Sequence, residues 1–126
     1  MIIIILGCAA LMAFLTEFTS NVASTQAILP LGIALSASLQ INPMYLMIPL
    51  TMAASLAFML PVATAPNAIA FGSNQFKIKQ MLLPGFILNC IGIVIITLMM
   101  YYWGSYIFEL SPKLMPDWMK FPSVTK

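Results

Sequence analysis

The chain has 126 residues, 62% of them hydrophobic and 6% charged, with no histidine and a net charge of +2. An ordinary soluble domain carries roughly a quarter charged residues, so this composition, with a mean hydropathy of +1.03, is that of a membrane protein with lipid around it. A small, scattered positive charge excludes nucleic acid as a partner, and three widely spaced acids without histidine or arginine leave neither a nucleophile–base pair nor a zinc cluster, so no enzyme is expected.

Ile2–Leu15 is an unbroken apolar block of 14 residues, which as a helix reaches only about 21 Å, against roughly 30 Å of hydrocarbon. No basic residue precedes it, so it is read as part of the fold rather than as a secretion signal. The decapeptide TEFTSNVAST follows at residues 16–25, with a carboxylate, five hydroxyls and an amide. A second short apolar arm, residues 27–41, contains Pro30 and Gly32 and ends at Asn42-Pro43. Two short arms around a polar tip describe a re-entrant hairpin over residues 1–42.

Residues 43–76 carry no charge and are too long for one straight spanning helix. The break is expected at PVATAPNAI: Pro66 removes a backbone donor and biases Ala65 away from helical angles, and Pro61 disturbs the preceding turn. The expectation is a helix over residues 43–62, an unwound segment at 63–66 and a short helix over 67–76, with a loop completing the unit 43–82. Residues 83–108 form a charge-free run that spans with tilt, within a segment 83–110. Tyr101, Tyr102, Trp103 and Tyr106 gather near its end, where amphipathic rings anchor at the interface. The proline-rich tail, residues 111–126, is read as irregular. Cys8 and Cys90 lie in different apolar blocks without a CxxC spacing and are read as packed, reduced thiols.

The two polar interruptions carry the functional signal. Non-helical backbone at membrane depth is tolerated only when buried in protein or lining a wet cavity. Discontinuous helices offer free N–H groups and a positive dipole end to anions, while unwound carbonyls and side-chain oxygens coordinate Na⁺. Thr16, Thr19, Ser20, Asn21 and the backbone at Ala63 and Thr64 supply oxygens of that kind. Glu17 reads equally well as a pathway carboxylate or as a solvated charge at the tip.

TEFTSNVAST, followed some forty residues later by LPVATAPNAIAFGS, resembles the C-terminal half of the divalent anion/sodium symporters, over residues 1–110. The resemblance implies an all-α membrane protein: one inverted repeat of an elevator-type transporter, with a re-entrant helical hairpin, a discontinuous transmembrane helix and one continuous transmembrane helix. It implies Na⁺-coupled uptake of divalent anions, C4-dicarboxylates such as succinate or malate, at the plasma (inner) membrane, by a homodimer when complete. Ser20, Asn21, Val22, Thr64, Ala65 and Pro66 would meet the substrate, and Thr16, Thr19, Asn21 and Ala63 the sodium ion. Val22 stands where many members have Thr, and Ala65 where Pro is common. The N-terminal repeat is missing from these residues, so the chain is not expected to transport alone. The resemblance puts the Lys77 and Lys79 loop in the cytoplasm, against the positive-inside tendency of a tail bearing Lys113, Lys120 and Lys126. Two alternatives remain at this point: a small membrane subunit whose small residues, such as Ala34, Ala37 and Ser38, pack on partner helices, and a sodium-independent anion exchanger.

Overall fold

The computed structural model describes residues 1–75 and 77–107, which form six helices and no strand. The expectations for the tail, and for residues 108–110 of the last span, lie outside the described residues.

Helix α1, Ile2–Leu15, coincides with the first apolar block. It ends where the Thr16 hydroxyl turns back to donate to the Ala13 carbonyl, 3.0 Å away. The polar tip is shorter than expected, because α2 spans Asn21–Ser38 and so begins inside the decapeptide. Ser20 caps it in an extended conformation, and the Thr25 hydroxyl is absorbed by the Asn21 carbonyl at 2.7 Å, so polar side chains in the first turns do not prevent the helix. Helices α1 and α2 run side by side and leave an apolar gap between them, lined by Gly7, Leu11, Ile28 and Leu35 among others.

Helix α3 is Met44–Ala53, with Asn42 Oδ1 accepting from the Met44 N–H at 3.1 Å. It stops nine residues short of the expected end at 62. The break therefore covers residues 54–64, and α4, Ala65–Gly72, starts with Pro66 in its first turn, where a missing donor costs least. No residue of α4 is buried.

Helix α5, Ile78–Tyr102, is 25 residues long and contains an 18-residue stretch of mean hydropathy 2.4, and among the described residues it alone is long and apolar enough to cross a membrane. At 1.5 Å per residue it reaches about 38 Å. It starts five residues earlier than expected because Gln80 Oε1 accepts the Lys77 N–H at 2.8 Å, securing the entry. Pro84 is accommodated within it. A short α6, Gly104–Ile107, follows, and Tyr101, Tyr102, Trp103 and Tyr106 are all exposed around this end.

The core is built on α1, which packs against α3 and α5, while α2 covers α3. Ala9, Met12 and Ala13 meet Leu50, Ala53, Ile93 and Ile96 in one cluster; Ile5, Tyr45, Leu46 and Met100 form a second. The outer face of α5, including Ile87, Ile91, Ile95 and Leu98, stays exposed and suits a lipid solvent rather than water.

Candidate functional site

The eleven residues between α3 and α4, in so apolar a chain, must find partners for their backbone groups. Here two side chains supply them, and a third holds one of the two in place. The Glu17 carboxylate is only 1% exposed. Its Oε1 accepts from the Met59 N–H at 3.0 Å and its Oε2 from the Leu60 N–H, also at 3.0 Å. Asn89, fully buried on α5, donates Nδ2 to Glu17 Oε1 at 2.6 Å. From the other side, Asn67 Nδ2 donates to the carbonyls of Ala57 at 2.8 Å and Leu60 at 3.1 Å. The Met59 and Leu60 N–H groups and the Ala57 and Leu60 carbonyls are thus met by side chains from the α1–α2 turn and α4, while Asn89 on α5 holds the Glu17 carboxylate. Those partners let the chain between α3 and α4 do without helical pairing.

The segment lies directly on α5. A Cβ at Gly85 would fall 2.4 Å from the Phe58 carbonyl oxygen, and one at Gly92 would fall 2.7 Å from the Leu56 side chain. Gly85, Asn89 and Gly92 are spaced i, i+4, i+7, hence on one face, and form a groove of two small residues around one amide.

Because residues 57–60 are pinned there, the next residues meet the α1–α2 turn. Phe18, Thr19, Ser20, Asn21 and Val22 face Val62, Ala63, Thr64 and Ala65 across a cleft of about 490 Å³. The two sequence interruptions are therefore brought together. The N-termini of α2 and α4 both open on this cleft, and Thr64 caps α4 by accepting the Asn67 N–H at 3.5 Å. Among the described residues no charged side chain lines it. The free N–H groups that open α2 and the dipole ends of both helices suit it to an anion.

The oxygens expected to hold a cation are placed unequally. Thr19, Asn21 and Ala63 line the cleft, whereas Thr16 is fully buried and does not. The Thr19 hydroxyl donates to the Leu15 carbonyl at 2.8 Å, so in its contact with Ser24 Oγ the serine must be the donor. Both threonines keep oxygen lone pairs after giving up their one proton. Asn21 Oδ1 is enclosed and accepts no hydrogen bond among the described residues. A buried, unused carbonyl oxygen beside hydroxyls is the donor set a hard cation takes. Pro66 stands at the second position of α4, exposed, and does not line the cleft.

Sequence reasoning left Glu17 undecided, placed Asn67 at the end of the polar break without its bonds to the Ala57 and Leu60 carbonyls, and passed over Gly85, Asn89 and Gly92. The available signal was the single amide in an apolar spanning run, flanked by glycines at helical spacing.

An all-helical membrane protein whose polar atoms concentrate where helices are interrupted is the class these features define. The sequence signature of the sodium:sulfate symporter transmembrane region matches residues 1–110. The chain is 46% identical over 123 residues to the Na(+)/citrate cotransporter of Mus musculus, covering 98% of this chain and 21% of that protein. It is 46% identical over 114 residues to solute carrier family 13 member 2 of Mus musculus, covering 90% and 19%. Against Na(+)/dicarboxylate cotransporter 3 of Homo sapiens the figures are 42% over 120 residues, covering 95% and 20%. This chain belongs to the sodium:sulfate symporter family and is an integral membrane protein. It spans about a fifth of the length of these relatives.

Proposed function

We propose that this chain forms one side of the binding site of a secondary active transporter that couples Na⁺ to the uptake of divalent anions, C4-dicarboxylates such as succinate or malate, at the plasma (inner) membrane. The observation that carries this reading is the convergence of the α2 and α4 N-termini on one uncharged polar cleft. Carboxylate chemistry is favoured because the similar proteins are named for citrate and dicarboxylates. Ser20 and Asn21 meet a carboxylate, Val22 supplies an apolar wall, Thr64 and Ala65 close the cleft at the α4 end, and Pro66, outside the lining, fixes the start of α4 rather than meeting the substrate. Thr19, Asn21 and Ala63 hold Na⁺ with oxygens at the cleft, and Thr16 contributes from behind it through its carbonyl or its remaining lone pairs. In this reading α1 and α2 are a re-entrant hairpin, the remaining site comes from an N-terminal repeat, and the complete protein works as an elevator-type homodimer. These residues alone do not transport.

Reconstitution of the full-length protein carrying this chain tests the reading. Succinate uptake driven by an inward Na⁺ gradient is expected, and Asn21→Ala abolishes it. Uptake that survives Asn21→Ala unchanged would remove the site assignment; citrate outcompeting succinate at equal concentration would reassign the substrate; uptake indifferent to Na⁺ would make the protein an exchanger.

A further inference from the structure

We infer that Glu17 and Asn89 act as one positioning pair, an acid held by an amide, which fixes the unwound segment and through it the α4 side of the anion cleft. The inference rests on the proposed function and adds to it two residues that do not line the cleft.

Glu17 is buried and forms no ion pair among the described residues. A buried carboxylate left bare costs several kcal/mol, so its position is set by the donors that surround it. Those donors come from two separate elements. The Met59 and Leu60 N–H groups belong to the break, and Asn89 Nδ2 belongs to the spanning helix. Glu17 itself sits on the turn that carries Thr19, Ser20 and Asn21 toward the cleft. One side chain thus ties the turn, the break and the span together, and residues 62–65 begin two positions beyond its last contact.

Asn89 determines how the carboxylate sits. Its Oδ1 is enclosed and unpartnered among the described residues, so the amide is held through its donor side alone. That asymmetry makes the pair interchangeable in principle. With Glu17→Gln, the new Oε1 still accepts from the break, and its Nε2 meets an Asn89 amide that turns to present Oδ1. With Asn89→Asp, two carboxyl groups confront each other in a buried pocket and can satisfy each other only by taking up a proton, which costs free energy at neutral pH. Combining both restores one acid and one amide, with the roles exchanged.

The test is this four-member cycle in the full-length protein carrying the chain, reconstituted in proteoliposomes. Asn89→Asp is expected to raise the half-saturating succinate concentration by roughly tenfold or more, the scale of one charge-assisted hydrogen bond, with maximal uptake per reconstituted transporter little changed. Glu17→Gln has a smaller effect, and the double variant returns from the Asn89→Asp value to that of Glu17→Gln. A merely structural defect would lower the amount of active protein without this split or rescue. Amide hydrogen exchange over residues 57–60 gives a readout independent of transport: it accelerates in Asn89→Asp and slows again in the double variant. Wild-type behaviour of Asn89→Asp, or a double variant no better than that single change, overturns the pairing. If the unmutated protein carries no anion, the transport reading falls while the exchange pattern still decides the pair.

Discussion

Gly85→Ala is the sharpest probe of the break. The added methyl would sit 2.4 Å from the Phe58 carbonyl oxygen and 2.6 Å from the Met59 Cα, so backbone must retreat by about 1 Å to reach ordinary contact. Neither neighbour is the free end of a side chain. The retreat carries the Met59 N–H, now 3.0 Å from Glu17 Oε1, out of hydrogen-bond range. Overpacking costs roughly 1–3 kcal/mol and losing a hydrogen bond to a charged group roughly 1.5–3 kcal/mol. Against this, exchanging glycine for alanine inside a helix returns about 1 kcal/mol. The net is a destabilisation of about 1.5–5 kcal/mol, or a fall in Tm of roughly 6–20 °C at about 4 °C per kcal/mol. Gly92→Ala serves as the control, because the nearest atoms to its methyl belong to the Leu56 side chain, whose terminal methyls can rotate aside. Its net effect stays within about 1 kcal/mol once the helix term is included. Thermal unfolding in detergent, followed by a thiol-reactive dye on the half-buried Cys8 and Cys90, measures both. Gly85→Ala as stable as Gly92→Ala would refute the close approach of the break to α5.

Asn67→Ala removes two donors to the Ala57 and Leu60 carbonyls and should cost about 2 kcal/mol in the same assay; Asn67→Asp, which places an acceptor against those carbonyls, should cost more, and the reverse order would remove the staple. Val22→Thr adds a hydroxyl at a residue that is 66% exposed in the cleft, so Tm should move by less than about 2 °C while the half-saturating anion concentration changes by up to about tenfold. Thr64→Ala loses a cap whose bond is long at 3.5 Å, and a stability loss under about 1 kcal/mol is expected by thermal unfolding, the low end for an N-cap.

How far the fold was legible depended on whether local pattern or distant partners decided each boundary. Helix α1 was readable to the residue, because an uninterrupted apolar run with a polar stop needs nothing else. The beginnings of α2 and α5 were placed late, since hydroxyls, lysines and amides looked like loop yet were absorbed by capping and by bonds to preceding carbonyls. The end of α3 was not legible at all. Prolines at 61 and 66 advertise a break near themselves, but where unwinding begins depends on Glu17 and Asn89, which lie 42 and 30 residues from Met59 along the chain. The site was half-legible for the same reason: the oxygen-rich stretches named the residues that line the cleft, and the groups that hold the break in place looked like ordinary members of a turn and a span.

The charge balance of the cleft bears on the order of events in the proposed mechanism. Each helix N-terminus is equivalent to roughly half an elementary charge, so the two together offset about one charge. A dicarboxylate brings two. With no lysine lining the cleft among the described residues and Glu17 buried nearby on the same turn, this side of the site alone leaves the dianion undercompensated. A cation bound first at the oxygens around Asn21 supplies the missing charge, and it also ties the turn to Ala63 before the anion arrives. In the proposed mechanism, coupling to Na⁺ follows from this charge deficit rather than being added to the binding event. On this argument the half-saturating anion concentration falls steeply as Na⁺ rises, while raising choline by the same amount leaves it unchanged; an anion affinity in equilibrium binding that is identical in the two salts would show that the other side of the site balances the charge by itself.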